Sequence, residues 1–201
     1  MHAFLELLKT QRWDDHRFYH HSLINQSLHL FSATSFLCVY ILLFWDPATA
    51  ALIAWLVSMA SRQIGHFFFE PKGYDEINQV THDYKESVKV GYNLKRKVVL
   101  HAVWAMTPLF LYFEPTLFGI MRPWDGPSGF FHNLGLIWLV LGLGGLAFRC
   151  MQLWFIEDLL TGLAWVAKIV TDPFHDIRLY YKAPYQLLRD GMAHELALRH
   201  R

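Results

Sequence analysis

Residues 18–45 read FYHHSLINQSLHLFSATSFLCVYILLFW, and no Asp, Glu, Lys or Arg interrupts them: the charges stop at Arg17 and resume at Asp46. A helix that crosses a bilayer needs roughly 17–25 mainly apolar residues, and this stretch has the length. Further charge-free gaps run from Asp46 to Arg62, from Lys97 to Glu114 and from Asp125 to Arg149. The gaps predict helices over 26–45, 48–68, 98–114 and 132–150. Trp45-Asp46-Pro47 reads as a tight turn, because proline suits the first turn of a following helix. The first two helices then form an antiparallel hairpin. Residues 151–170 are apolar but carry Glu157, Asp158 and Lys168, which suits a helix lying at the membrane interface. Asp172-Pro173 is expected to end it. The expected fold is all-α: a polytopic membrane helical bundle with about four transmembrane helices plus an interfacial helix.

Composition agrees with a membrane setting. Apolar residues make up 54% of the chain and charged residues only 17%, against roughly 25% charged in soluble domains. A net charge of +1 gives no electrostatic basis for binding nucleic acid. Cys38 and Cys150 lie in apolar runs and read as small core residues, neither a disulfide nor a zinc site. The N-terminal charges, with no short apolar run after them, predict no cleaved signal peptide. The basic residues cluster before residue 18, across 62–97 and after 170, while 114–131 holds only Arg122. That bias puts both termini and the 69–97 segment in the cytoplasm, with a bacterial inner membrane as the expected home. The chain is read as one integral membrane domain over 1–201. It comprises a hairpin (18–70), a cytoplasmic segment (69–97), a second helix pair (98–150) and the interfacial helix with its tail (151–201). Pro115, Pro123, Gly126, Pro127 and Gly129 mark the outer connection as a loop.

The chain holds twelve histidines, and ionisable groups in a membrane protein face a partner or a cavity. His21, Asn25 and His29 stand four apart, with His20 beside the first, so one helix face carries His, Asn and His. Gly65-His66 is followed four residues later by Glu70. His29 lies 17 residues before Asp46 and His66 lies 20 after it; at 1.5 Å per residue these are about 26 and 30 Å from the turn. In a hairpin they meet at one depth near the cytoplasmic face, with His101 on the same side and His132 on the other. His82 and Glu86 form a further pair four apart, which equally suits a solvated helix face. Imidazoles with carboxylates suit iron, manganese or zinc, and the lack of a cysteine cluster argues against an iron–sulfur centre. The candidate metal ligands are therefore His20, His21, His29, His66, Glu70, His82 and Glu86. His21, His29, His66 and Glu70 form the catalytic group, and Asn25 orients a ligating histidine. His175 and Asp176 read as structural, and His2, His16, His194 and His200 as surface residues. Phe67-Phe68-Phe69 reads as packing, and Lys95-Arg96-Lys97 as a topology anchor near anionic headgroups.

The stretch Phe18-Tyr19-His20-His21, Asn25 and His29, followed across a hairpin by Gly65-His66 and Glu70, resembles the membrane-bound 2-hydroxy fatty acid dioxygenase family. The likeness covers about residues 18–70. Phe31-Ser32-Ala33-Thr34 and Pro71-Lys72-Gly73 depart from the family pattern, and 71–97 and Asp172–Asp176 have no counterpart in it. The resemblance implies Fe(II) held by His20 or His21, His29 and His66, with Glu70 as a fourth ligand or a partner of one. It implies a non-haem iron dioxygenase that uses dioxygen to remove one carbon from a 2-hydroxy fatty acid, with Arg62 pairing the substrate carboxylate. Two alternatives stand beside it: a di-iron fatty-acyl hydroxylase or desaturase that also uses His82, Glu86, His101 and His175, and a non-catalytic membrane protein binding a lipid, haem or metal.

Overall fold

The computed structural model describes residues 2–70 and 72–190. Pro71, His194, Arg199, His200 and Arg201, and the side chain of Lys95, lie outside the described residues. The fold is all-α, with helices α1 (His2–Tyr19), α2 (Leu23–Leu42), α3 (Pro47–Ile53), α4 (Ala60–Phe68), α5 (His82–Val88), α6 (Leu94–Phe113), α7 (Gly126–Ile156), α8 (Leu159–Tyr180) and α9 (Ala183–Asp190). A single π-helical stretch, Ala54–Met59, joins α3 to α4 in one unbroken rod. The four expected helices are present as α2, the α3–α4 rod, α6 and α7. Among the described residues, α7 alone is long and apolar enough to cross a membrane by itself.

Polar side chains punctuate the helices where the sequence places them. Asp46 caps α3 by accepting from the Thr49 amide at 3.0 Å, with Pro47 in the first turn. Ser22, Thr81, Asn93 and Asp158 cap α2, α5, α6 and α8 in the same manner. Each cap answers one of the backbone N–H groups that a helix start leaves unpaired.

The α2 helix packs on the α3–α4 rod, on α8 and on α9; α7 packs on α3, α6 and α8, and α1 lies along α8. Small residues bring α3 and α7 together. A β-carbon added to Gly135 would stand 2.3 Å from the Ala48 carbonyl oxygen, so only glycine permits this approach, as in the small-residue contacts of membrane helices. One apolar cluster forms here around Ala51, Leu111, Leu134 and Trp138.

Polar side chains are prominent in the interior and large apolar ones on the exterior. Among the described residues, buried polar and charged residues outnumber buried apolar ones, while Phe44, Phe113, Ile120 and Phe155 are each more than 70% exposed. Most of the apolar surface of α7 is likewise uncovered.

Four expectations need correction. Gly126, Pro127 and Gly129 do not belong to the outer loop: they open α7, with Pro127 in its first turn. Asp172-Pro173 does not end a helix: α8 runs through Pro173 to Tyr180. A proline removes one intrahelical donor, here the one that would meet the Ile169 carbonyl; in the same turn the Tyr40 hydroxyl donates to the Val170 carbonyl at 2.8 Å, and Lys168 pairs with Asp172. The interfacial helix expected over 151–170 is divided, its first part completing α7 and its second opening α8, with the break at Glu157-Asp158. Cys38 is exposed on the apolar exterior and Cys150 is partly covered; both are free thiols.

Candidate metal centre

The site forms where α1 stops and α2 begins. His20 and His21 occupy the non-helical break between them, and two amides from the first turn of α2 hold that break. Asn25 donates to the Tyr19 carbonyl at 2.8 Å, and Gln26 donates to the His20 carbonyl at 2.8 Å. Because the helix starts only at Leu23, the four-residue spacing from His21 to His29 does not describe one continuous face. His20 turns inward instead. His21 turns away, its Nε2 against the Arg17 carbonyl and 3.5 Å from the Asp75 carboxylate.

His20, His29 and His66 come together. Their ring centroids are 4.0 Å apart for His20–His29, 4.9 Å for His29–His66 and 5.5 Å for His20–His66. Each ring offers one nitrogen to a set lying within 4.8 Å of one another, and all three residues are buried. Gly65 makes the meeting of α2 and α4 close enough: a β-carbon there would stand 2.1 Å from Asn25 Oδ1 and 3.5 Å from His29 Cδ2.

An oxygen atom faces the Nδ1 of every one of the three rings. Tyr180 Oη lies 2.9 Å from His20 Nδ1, Glu70 Oε2 lies 2.7 Å from His66 Nδ1, and Asp176 Oδ2 lies 3.6 Å from His29 Nδ1, just beyond hydrogen-bond reach. The Glu70 carboxylate only accepts, so it favours a proton on His66 Nδ1 and leaves Nε2 with its lone pair, the arrangement in which an imidazole binds a metal. The Nε2 atoms of His20 and His29 are buried without any protein partner. Buried polar atoms are normally paired, so this donor set fits a transition-metal ion of the kind that imidazole prefers. Burial, with His29 alongside, pushes the His20 imidazole well below the ordinary histidine range, which keeps it neutral. Tyr180 also lies 3.0 Å from His16 Nδ1. One hydroxyl thus sits between the two rings, donating to one Nδ1 and accepting from the other, so the tautomers of His16 and His20 are linked through Tyr180. Burial raises the Tyr180 phenol well above its usual value, with Asp176 and Asp15 adding to the effect, and it stays a neutral donor.

The other candidate residues take different places. Glu70 supports His66 and is bridged by Lys89 at 3.3 Å; burial raises its carboxyl pKa, against the opposing pull of Lys89 and Lys97. Arg62 pairs with Asp176, so its charge is already answered within the protein. Asn25 touches backbone and no imidazole Nδ1. Glu86 pairs with Lys89 at 3.1 Å, and neither it nor His82 enters the histidine trio. His101 turns its Nδ1 to the Lys97 carbonyl, and its ring packs edge-on against Phe67.

Sequence reasoning missed the contribution of α8. Asp172, Asp176 and Tyr180 stand four apart on one face, and with Lys168 they line the site. Six charges interlock there: Arg12 with Asp172, Lys168 with Asp15 and Asp172, and Arg62 with Asp176. The four-residue spacing was the available signal, and the expected helix end at Pro173 hid it. His16, expected at the surface, is buried against Tyr180. A strap over 72–89 closes the site on the α1 side: Asn78 donates to the Arg17 carbonyl at 2.8 Å and Tyr19 donates to the Lys85 carbonyl at 2.7 Å.

No protein-family model matches this chain, and neither a curated protein nor a solved structure does.

Proposed function

We propose that this chain is an integral membrane non-haem iron oxygenase acting on a lipid, and specifically a 2-hydroxy fatty acid dioxygenase that shortens its substrate by one carbon. The observation that carries the reading is the buried set of three imidazoles, each with an oxygen near its Nδ1 and each able to offer one nitrogen to a common ion. The residues that resemble the dioxygenase family, from Phe18 to Glu70, supply two of the three elements that build this site. The apolar exterior and polar interior support a membrane location, with α2, the α3–α4 rod, α6 and α7 as the four spans and the histidine site at their cytoplasmic end.

His20, His29 and His66 would hold a single Fe(II), which when bound supplies the activation of dioxygen that carbon chains alone do not provide. The surrounding residues do the rest. Tyr180 and Glu70 fix the orientation of two ligand rings, and Asp176 stands beside the third. The α8 charges and the 72–89 strap keep bulk water from the ligands. A cation free to receive the substrate carboxylate is not supplied by Arg62 in this arrangement, so Arg62 serves first to neutralise Asp176. The positions of His82, Glu86 and His101 outside the trio favour one metal over two.

The test is an oxygen-consumption assay on protein purified in mild detergent and supplied with Fe(II). A 2-hydroxy fatty acid should drive oxygen uptake and yield a product one carbon shorter, and the unsubstituted fatty acid should not. Equal uptake with both acids, or product of unchanged length, refutes the dioxygenase reading.

A further inference from the structure

The side chains of α6 that turn inward form a single stripe. Lys97, His101, Trp104, Thr107 and Leu111 recur at helical spacing and are partly or fully covered, while Val98, Val99 and Val103 between them are exposed. Arg96 is exposed as well, so the basic run at the start of α6 divides: Arg96 stays outside, and Lys97 lies on the covered face. The stripe meets the α3–α4 rod in antiparallel register. His101 packs edge-on against Phe67 with ring centroids 5.9 Å apart, and Trp104 stacks on Trp55 at 5.6 Å. Lys97 stands one turn before His101, and Glu70 three residues after Phe67, so the two come level beside the His66–Glu70 pair. The electrostatics agree: Lys97 is the charge that acts most strongly on the His66 ring, and Glu70 is the carboxylate that acts most strongly on Lys97.

The cations around the histidines differ in what already holds them. Arg62, Lys97 and Lys168 are those that act on His29. Arg62 is held by Asp176, and Lys168 by Asp15 and Asp172 at 3.0 and 2.7 Å. Among the described residues the Lys97 ammonium has neither an ion pair nor a hydrogen bond. Glu70, level with it, has both oxygens engaged, Oε2 with His66 Nδ1 at 2.7 Å and Oε1 with Lys89 at 3.3 Å. An ionisable group turned into a membrane protein takes a partner or faces a cavity, and an ammonium brings three donors and a full charge. Lys97 therefore has a place for one more anion. A carboxylate answers it with a charge-assisted hydrogen bond, and an uncharged lipid does not. Beyond His101 the same two elements enclose an apolar groove of about 220 Å³, which suits the tail of such an acid.

We propose that Lys97 receives the carboxylate of the fatty-acid substrate at the histidine site, the place that Arg62 does not fill. The assignment rests on the oxygenase reading above and adds to it the residue that selects an acid over an uncharged lipid.

The test is equilibrium binding of tritiated 2-hydroxyhexadecanoate to the full-length protein in mild non-ionic detergent with Fe(II), beside tritiated hexadecane-1,2-diol, which keeps the chain and hydroxyl and lacks the charge. Wild type should prefer the acid. Lys97→Met removes the charge at similar length and should weaken acid binding about 10–100-fold, the range of a hydrogen bond to a charged group, with diol binding unchanged. Lys97→Arg keeps the charge and should recover most of the affinity. Both variants should keep wild-type iron content and Tm. Unchanged acid affinity in Lys97→Met overturns the proposal; so does equal weakening of acid and diol, which marks a structural role. Displacement of the acid by phosphatidylglycerol at equal concentration overturns it too, because Lys97 then serves as a headgroup anchor. The two readings fail separately. Oxygen uptake by a Lys97→Met protein with wild-type KM and acid affinity removes the role of Lys97 alone. Lys97-dependent acid binding without iron or oxygen uptake keeps the carboxylate site and removes the oxygenase.

Discussion

Replacing Gly65 with alanine probes the closest contact in the site. The added methyl would stand 2.1 Å from Asn25 Oδ1 and 3.2 Å from Asn25 Cγ. Asn25 is fully buried and its amide holds the Tyr19 carbonyl at 2.8 Å, so it cannot swing aside without leaving that carbonyl unpaired. Overpacking costs about 1–3 kcal/mol, and an unpaired buried polar group costs about 1–3 kcal/mol. Alanine returns about 1 kcal/mol through its helix propensity. The net loss is about 3 kcal/mol, or roughly 6–12 °C in Tm for a chain of this size. Because the clash pushes α4 from α2, His66 moves away from His29 and metal affinity should fall as well. Thermal unfolding followed by tryptophan fluorescence, with iron content on the same samples, measures both effects. Asn25→Ala in the Gly65→Ala background should recover part of the loss. A Gly65→Ala protein with wild-type Tm and wild-type iron content would refute this account of how the two helices meet.

Three further outcomes are expected. Tyr180→Phe removes the hydroxyl that holds His20 Nδ1 and should weaken metal binding by roughly 10–100-fold while the fold persists, as read by metal competition with a chelator. Asp176→Leu leaves the Arg62 guanidinium buried without its partner and should cost about 3–5 kcal/mol in denaturant or thermal unfolding, far more than Asp176→Asn. Asp15→Asn tests the interlocked charges through pH: burial alone would raise the Asp15 carboxyl, but Lys168, with Arg62 behind it, outweighs that and holds it well below 3.8. A carboxyl whose folded pKa is depressed contributes stability above its unfolded value and loses it as pH falls through the folded one. The Tm gap between wild type and Asp15→Asn should therefore be full near neutral pH and close below 3.8; a gap that widens in acid contradicts the pairing.

The helices were legible because charge gaps and caps are local features. Asp46-Pro47 both opens a helix and says so in two residues, and α2 and the α3–α4 rod lie close to their expected bounds. The meeting of His29 with His66 was also legible, since similar distances from one turn, 17 and 20 residues, bring them to similar heights along the hairpin. The choice between His20 and His21 was not. It depends on where α2 starts, and that is decided by the amides of Asn25 and Gln26 reaching back to the carbonyls of the break. Nor was α8 legible as a wall of the site. Pro173 reads as a stop, yet α8 runs through it to Asp176 and Tyr180.

Iron content per chain, measured on wild type, His20→Ala and His21→Ala purified without chelators and resupplied with Fe(II), tests the central claim most directly. The site described here predicts a single iron in wild type, its loss in His20→Ala, and full retention in His21→Ala, whose ring faces Arg17 and Asp75. Loss in His21→Ala with retention in His20→Ala would contradict the assignment, and no stoichiometric iron in wild type would remove the metal centre altogether.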